Sequence, residues 1–148
     1  MTVLSHAKIA VVEEMIGQVF YFSCSSFGTG HIAERSILNS SQRNNLAAGI
    51  TGFLFRTATH YFQVLEGEPS SLKATMKRIR VDDRHRNMKE WPPHSTIDRF
   101  FPSWSMGYAI AEQQEIMDAA FRNGVERPTG EVVLRLRNLA KLRFSEDN

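Results

Sequence analysis

The stretch Tyr61-Phe62-Gln63-Val64-Leu65-Glu66-Gly67 sets one polar amide amid aromatic and β-branched residues. That composition predicts a strand, and Gly67 with Pro69 stops it. Alternate strand residues share a face, so Tyr61, Gln63 and Leu65 lie opposite Phe62, Val64 and Glu66. Gln63 therefore sits within an apolar face. A buried amide is costly unless its donors and its acceptor find partners. From this strand alone, Gln63 bonds either neighbouring backbone or a ligand.

The same patterning runs along the rest of the chain. Ile9, Val12, Glu13 and Ile16 have helix-like spacing up to Gly17, which reads as a short leading helix or a loosely attached arm. Val19 to Ser25 reads as a strand with Tyr21 and Ser23 on one face and Phe20 and Phe22 on the other. His31 to Asn45 reads as a helix carrying Ile37, Ser41, Asn44 and Asn45 along one face, with Gly49 closing the turn after it. Ile50 to Arg56 is a second strand, and mid-strand Gly52 marks a close approach by another group. A helix begins near Ser70 or Ser71 with Leu72, Met76 and Ile79 as its apolar stripe, and Arg78, Asp82 and His85 share a neighbouring face. Met88 to Ile110 holds two weaker strands. Pro92-Pro93 interrupts the first, and the second places Trp104, Met106 and Tyr108 on one face. Arg122 to Gly130 is a breaker segment. Glu131 to Phe144 is an amphipathic helix with Val133, Leu136, Ala140 and Phe144 as its stripe, before a polar tail, Ser145 to Asn148.

This order predicts an α+β, ferredoxin-like sandwich: a five-stranded mixed sheet with two helices on one face. Both faces of the strands carry large apolar groups, so the second face must be covered as well. The C-terminal helices, or a partner subunit, are the expected cover. The domain reading is an extension over 1–17, a core domain over 18–110 and a helical extension over 111–148.

Composition narrows the function classes. With 42% hydrophobic and 23% charged residues, the 148-residue chain is an ordinary globular one. It lacks a run of ~18 apolar residues to span a membrane and a secretory signal pattern. A single cysteine, Cys24, forbids an internal disulfide, fits a cytoplasmic location, and reads as a small buried hydrophobe. A net charge of +2 with interspersed acids argues against nucleic acid as a partner. The histidines show no metal-ligand spacing, and the glycines at 28 and 30 lack the spacing of a phosphate loop.

In a ferredoxin-like fold both helices lie on one face, so their polar sets flank one crevice. Asn44, Asn45 and Ile37 come from the first; Arg78, Asp82, His85 and Ile79 come from the second. Tyr21 and Gln63 form the floor. Such a slot suits a flat, polar-edged heterocycle with an anionic tail.

Tyr21-x-Ser23, Ser41-Gln-Arg-Asn-Asn45, Gly49-Ile-Thr-Gly52, Phe62-Gln-Val-Leu-Glu-Gly67, Asp82-Asp-Arg-His85, Arg99-x-Phe101 and Trp104-Ser-Met106 follow one another in this order. Together they resemble the BLUF domain, a family of blue-light sensors using FAD, from about Val19 to Ile110. Phe22 stands where that family often has a basic residue, and Trp91-Pro92-Pro93 is unusual for its fourth strand.

The resemblance implies a flavin, FAD with FMN as the alternative, sandwiched between the two helices. Asn45 would bond the ring edge, with Asn44, Arg78, Asp82 and His85 holding the ring, ribityl chain or phosphate. Arg84 would serve as a surface or tail-phosphate contact. Ile37 and Ile79 would pack on the two ring faces. Tyr21 and Gln63 would be the photoactive pair, joined by Trp104 and Met106; the pattern does not choose between core and surface for Trp104. The expected function is photoreception without net turnover, with a flavin-dependent redox enzyme or redox sensor as the competing class. About forty residues after Ile110 are too few for an effector domain, so output is expected through an unknown downstream protein or a change of assembly. The apolar second face favours a homo-oligomer.

Overall fold

The computed structural model describes residues 15–122 and 125–144. Three strands carry the core: β1 (Ile16–Ser25), β2 (Thr51–Arg56) and β3 (His60–Gly67). β1 runs antiparallel to β3 with Tyr21 opposite Gln63, and β2 forms a hairpin with β3. β4 (His85–Glu90) and β5 (His94–Thr96) lie end to end along β1, separated by the residues Trp91-Pro92-Pro93. β6 (Gly107–Ile110) joins β2 in parallel. Six strands thus fill five positions, in the order β4-β1-β3-β2-β6 with β5 also on β1. Proline cannot donate to a ladder, which is why the edge position beside β1 is split between β4 and β5.

Helices α1 (Ile32–Ala48) and α2 (Pro69–Arg80) cover one face, over Val19, Tyr21, Leu54, Tyr61 and Leu65. The other face carries Phe20, Phe53, Phe55, Phe62 and Val64. It is closed by α3 (Gln113–Ala120) and α4 (Thr129–Phe144), through Ile116, Ala120, Val132, Val133, Leu136 and Ala140. This is the ferredoxin-like α+β sandwich. The chain's own helices cover the second face, so that face no longer argues for a homo-oligomer. A short hairpin of β7 (Phe121–Arg122) and β8 (Val125–Glu126) occupies the predicted breaker segment. The start of α4 is tied to the split strand: Trp91 Nε1 donates to the Arg127 carbonyl at 3.1 Å.

Several local expectations are corrected. Ile16 and Gly17 belong to β1, not to a leading helix; the rest of that helix, Ile9 to Glu13, lies outside the described residues, as do the Phe144 side chain and the tail from Ser145. α1 runs on to Ala48, where Gly49 at φ 69° caps it, so Asn44 and Asn45 stay helical. α2 starts at Pro69, whose fixed φ suits the first helical position, with Glu68 as the N-cap residue in place of Ser70 or Ser71. It ends at Arg80, so Arg78, Asp82 and His85 sit on a helix, a turn and a strand rather than one helical face. Cys24 is half-buried, with its Sγ 3.4 Å from His60 Nε2. Gly52 is a point of close approach as expected, since a Cβ there would strike the Val64 carbonyl.

Candidate functional site

Between α1 and α2, above β1 and β3, lies a cavity of about 290 Å³. Tyr21, Gln63, Leu54, Leu65 and Tyr61 line it from the sheet; Ile37, Asn44 and Asn45 line it from α1. Thr75, Arg78 and Ile79 of α2 and the following Asp82, Arg84 and His85 line the other side. The period of α1 brings residues 37, 41, 44 and 45 to one stripe, and the pleat brings 21 and 63 to the same floor. The sequence-derived helix and sheet sets therefore converge in one place.

The floor is organised by a hydrogen-bonded pair. The Tyr21 hydroxyl donates to Gln63 Oε1, and both side chains are buried. The Gln63 amide nitrogen points at Met106 Sδ, 3.2 Å away, a weak acceptor. Burial, then the nearby carboxylates of Asp82 and Glu90, push the Tyr21 phenol well above its ordinary range, so it stays protonated. Asn45 is buried, and its Nδ2 donates to the Ser105 carbonyl at 2.8 Å. His85 sits between the Ser23 hydroxyl, 2.7 Å from Nδ1, and the Ile79 carbonyl, 2.6 Å from Nε2. The carbonyl can only accept, which places a ring proton on Nε2.

At the rim, Asp82 takes the Arg84 backbone N–H at 3.0 Å and its guanidinium at 2.6 Å, closing the turn after α2. That hydrogen bond holds the Asp82 carboxyl below its usual range. Arg78 is exposed and has only Thr75 Oγ1, at 3.4 Å, as a side-chain partner among the described residues. It is thus available to an anion.

Trp104 and Met106 do not share a face. β6 begins only at Gly107, so strand alternation does not govern residues 104–106. Met106 packs in the core beneath α1 and α2, whereas Trp104 meets Phe53 edge-on and Phe101 at a tilt on the opposite face, with ring centroids 5.4 and 6.2 Å away. The segment carrying both is pinned by Glu66, whose buried carboxylate accepts from the Phe100 and Phe101 amides at 2.8 and 2.6 Å. Arg99 fastens the same loop to the Gly49 and Glu66 carbonyls.

Sequence reasoning passed over a second buried cluster beside the pocket. Arg56 Nε donates to Glu34 Oε1 at 2.6 Å, and the Tyr108 hydroxyl donates to the same oxygen at 3.2 Å. Arg56 is 0% exposed, and its guanidinium lies 4.7 Å from the centre of the Tyr61 ring. The only signal for it was an arginine closing an apolar strand. Burial, then Glu34, pushes the Tyr108 phenol up to about 12. Both raised phenols favour the folded state below the ordinary phenol value of about 10. The unfolded chain loses these protons first, so stability should fall as pH rises from about 10 towards 12. Thermal melts across that range check this, and a flat melting temperature would count against it.

The donor set fits a flat ring with a polar edge. Ile37 and Ile79 line it from two helices, buried amides of Asn45 and Gln63 line the interior, and exposed Arg78 also borders it. Among the described residues no His, Cys, Asp and Glu group is arranged for a metal ion, and no helix is long and apolar enough to cross a membrane.

The family model for BLUF, sensors of blue light using FAD, matches residues 16–107. The structure of BlrB, a BLUF protein in its dark state, is 25% identical with a TM-score of 0.69, covering 88% of this chain and 98% of that one. A bacterial light-regulated adenylyl cyclase shares the fold at 24% identity and a TM-score of 0.61, over 88% of this chain and 36% of that one. The blue light- and temperature-regulated antirepressor BluF of Escherichia coli (strain K12) is 27% identical over 94 residues, 62% of this chain. The chain spans 23% of that relative's length. With its family model covering well over half of its length, this chain belongs to the BLUF family of blue-light sensors using FAD.

Proposed function

We propose that this chain signals blue light through a change in the hydrogen bonding of Gln63, without consuming a substrate. A flavin in its light-excited state supplies one thing here, a strong one-electron oxidant. The protein's residues do the rest. Ile37 and Ile79 would pack against the ring, Asn44 and Asn45 would bond its edge, and Arg78, Asp82, Arg84 and His85 would hold the tail side. Tyr21 would give up an electron to that oxidant and its phenolic proton, through Gln63, to the same group, and would take both back. While the proton is away, Gln63 loses the donor that fixes its carbonyl, and the amide settles rotated or tautomerised.

The single observation carrying this reading is the unequal bonding of that amide. Its oxygen accepts from the Tyr21 phenol, while its nitrogen has, among the described residues, only the Met106 thioether at 3.2 Å. An amide held firmly at one end is released when that end changes. Met106 would feel the change first, and the pinned 99–106 loop offers the way out to a partner protein. The antirepressor among the relatives supports output through another protein.

The test is spectroscopic. The purified, flavin-loaded protein under blue light should show a small red shift that reverses in the dark. Bleaching to reduced flavin would replace this reading with a redox enzyme, and failure to retain any flavin would remove it.

A further inference from the structure

Two phenols line the cavity, not one. Tyr21 on β1 and Tyr61 on β3 are both about 95% buried, and they sit two pairs apart on one face of the same ladder, Tyr21 opposite Gln63 and Tyr61 opposite Ser23. Either side chain has the chemistry of a one-electron donor, so something must choose between them.

Their surroundings differ in charge. The carboxylates of Asp82 and Glu90 act on Tyr21, and their partners Arg84 and Arg80, at 2.6 and 2.8 Å, offset part of that charge from the far side of each pair. Negative charge favours loss of an electron from the ring. Tyr61 instead has the Arg56 guanidinium 4.7 Å from its ring centre. That cation is fixed on three sides: Nε on Glu34 at 2.6 Å, Nη1 on the Thr57 carbonyl at 3.0 Å and Nη2 on the Phe27 carbonyl at 2.7 Å. A cation over the face of a neutral ring is attracted by the ring's electrons, and removing one of them replaces attraction with repulsion. Burial leaves this field weakly screened. Glu34 offsets part of it, but its oxygens go to Arg56, Tyr108 and the Gly30 amide rather than to Tyr61.

Their proton routes differ too. A phenol that loses an electron must also release its proton. Tyr21 bonds Gln63 Oε1, on the cavity floor. Tyr61 meets Ser25 Oγ at 3.2 Å, and that oxygen already accepts from the Phe27 amide at 3.1 Å and donates to the Phe27 carbonyl at 2.7 Å.

We propose that Arg56, a positioning residue that acts through Tyr61, selects the electron donor by keeping Tyr61 reduced and leaving Tyr21 as the phenol that is oxidised. This assignment rests on the photoreceptor reading above. One electron leaves Tyr21 for the excited flavin and one proton follows it through Gln63, and both return to Tyr21; Tyr61 exchanges neither.

Time-resolved fluorescence of the bound flavin tests it, with electron paramagnetic resonance to detect tyrosyl radicals. Tyr61→Phe alone should leave the parent's short lifetime and its red shift unchanged. Tyr21→Phe should lengthen the lifetime many-fold, and adding Tyr61→Phe to it should lengthen it no further. Replacing both charges in the Tyr21→Phe protein, by Glu34→Gln with Arg56→Gln, should shorten the lifetime several-fold again. It should also bring a tyrosyl signal that disappears when Tyr61→Phe is added.

Quenching that survives Tyr21→Phe and is relieved by Tyr61→Phe overturns the assignment alone, and needs no change at Arg56. So does an unaltered lifetime in the charge-neutral variant, with its fold verified by circular dichroism. A parent protein whose bound flavin lives as long as free flavin overturns the photoreceptor reading as well.

Discussion

A Gln63→Leu variant should bind flavin and show no red shift under blue light. Leucine fills a similar volume in the floor but offers no carbonyl to Tyr21 and no amide to rearrange. The cost to stability is small because two effects oppose each other. The Tyr21 hydroxyl loses its acceptor, worth about 1–3 kcal/mol when a buried group is left unsatisfied. Removing a buried amide recovers a comparable amount. The melting temperature should therefore change little while the light response vanishes entirely. Difference absorption spectra before and after illumination decide the matter, and an undiminished shift in the leucine variant would rule out the amide as the switch.

The second large effect concerns stability. Arg56→Met should destabilise the fold by about 3–5 kcal/mol, the usual cost of leaving one member of a buried ion pair alone. Glu34, whose side chain is 7% exposed, would keep its charge without a cation, and the Phe27 and Thr57 carbonyls would lose their donors. For a chain of this size that corresponds to a melting temperature lower by roughly 10 °C. Adding Glu34→Met should restore most of the loss, since apolar replacement of a whole buried pair is often near neutral. Thermal unfolding of the single and double variants makes the comparison. Equal melting temperatures for parent and single variant would show that the pair contributes nothing.

These two expectations divide along how each site became visible. The pocket residues on regular elements were legible because helix and strand periods are short-range properties. Ile37, Asn44 and Asn45 share a stripe whenever α1 is helical, and Tyr21 and Gln63 share a face whenever β1 and β3 pair in the observed register. Tyr61 shares the Gln63 face by the same rule and joins the cavity wall. Residues beyond the ends of elements were misplaced. Asp82 and His85 were put on a continuous helical face, but α2 stops at Arg80 and an aspartate turn carries the chain into β4. Trp104 and Met106 were put on one strand face, but no strand runs through them. Periodicity says nothing once the repeating backbone geometry ends.

From its amino acids alone, then, the strand-helix-strand-strand-helix order of this protein's core, its two apolar sheet faces and the phenol–amide floor of its crevice were already determined. Each follows from contacts between residues a few positions apart or from ladders with one satisfactory register. Only the tertiary structure decided which groups cover the second face and where the Trp104 ring goes. It also decided that Arg56 is buried between Glu34 and Tyr61, since a charge can be taken from water only where distant segments assemble its partners.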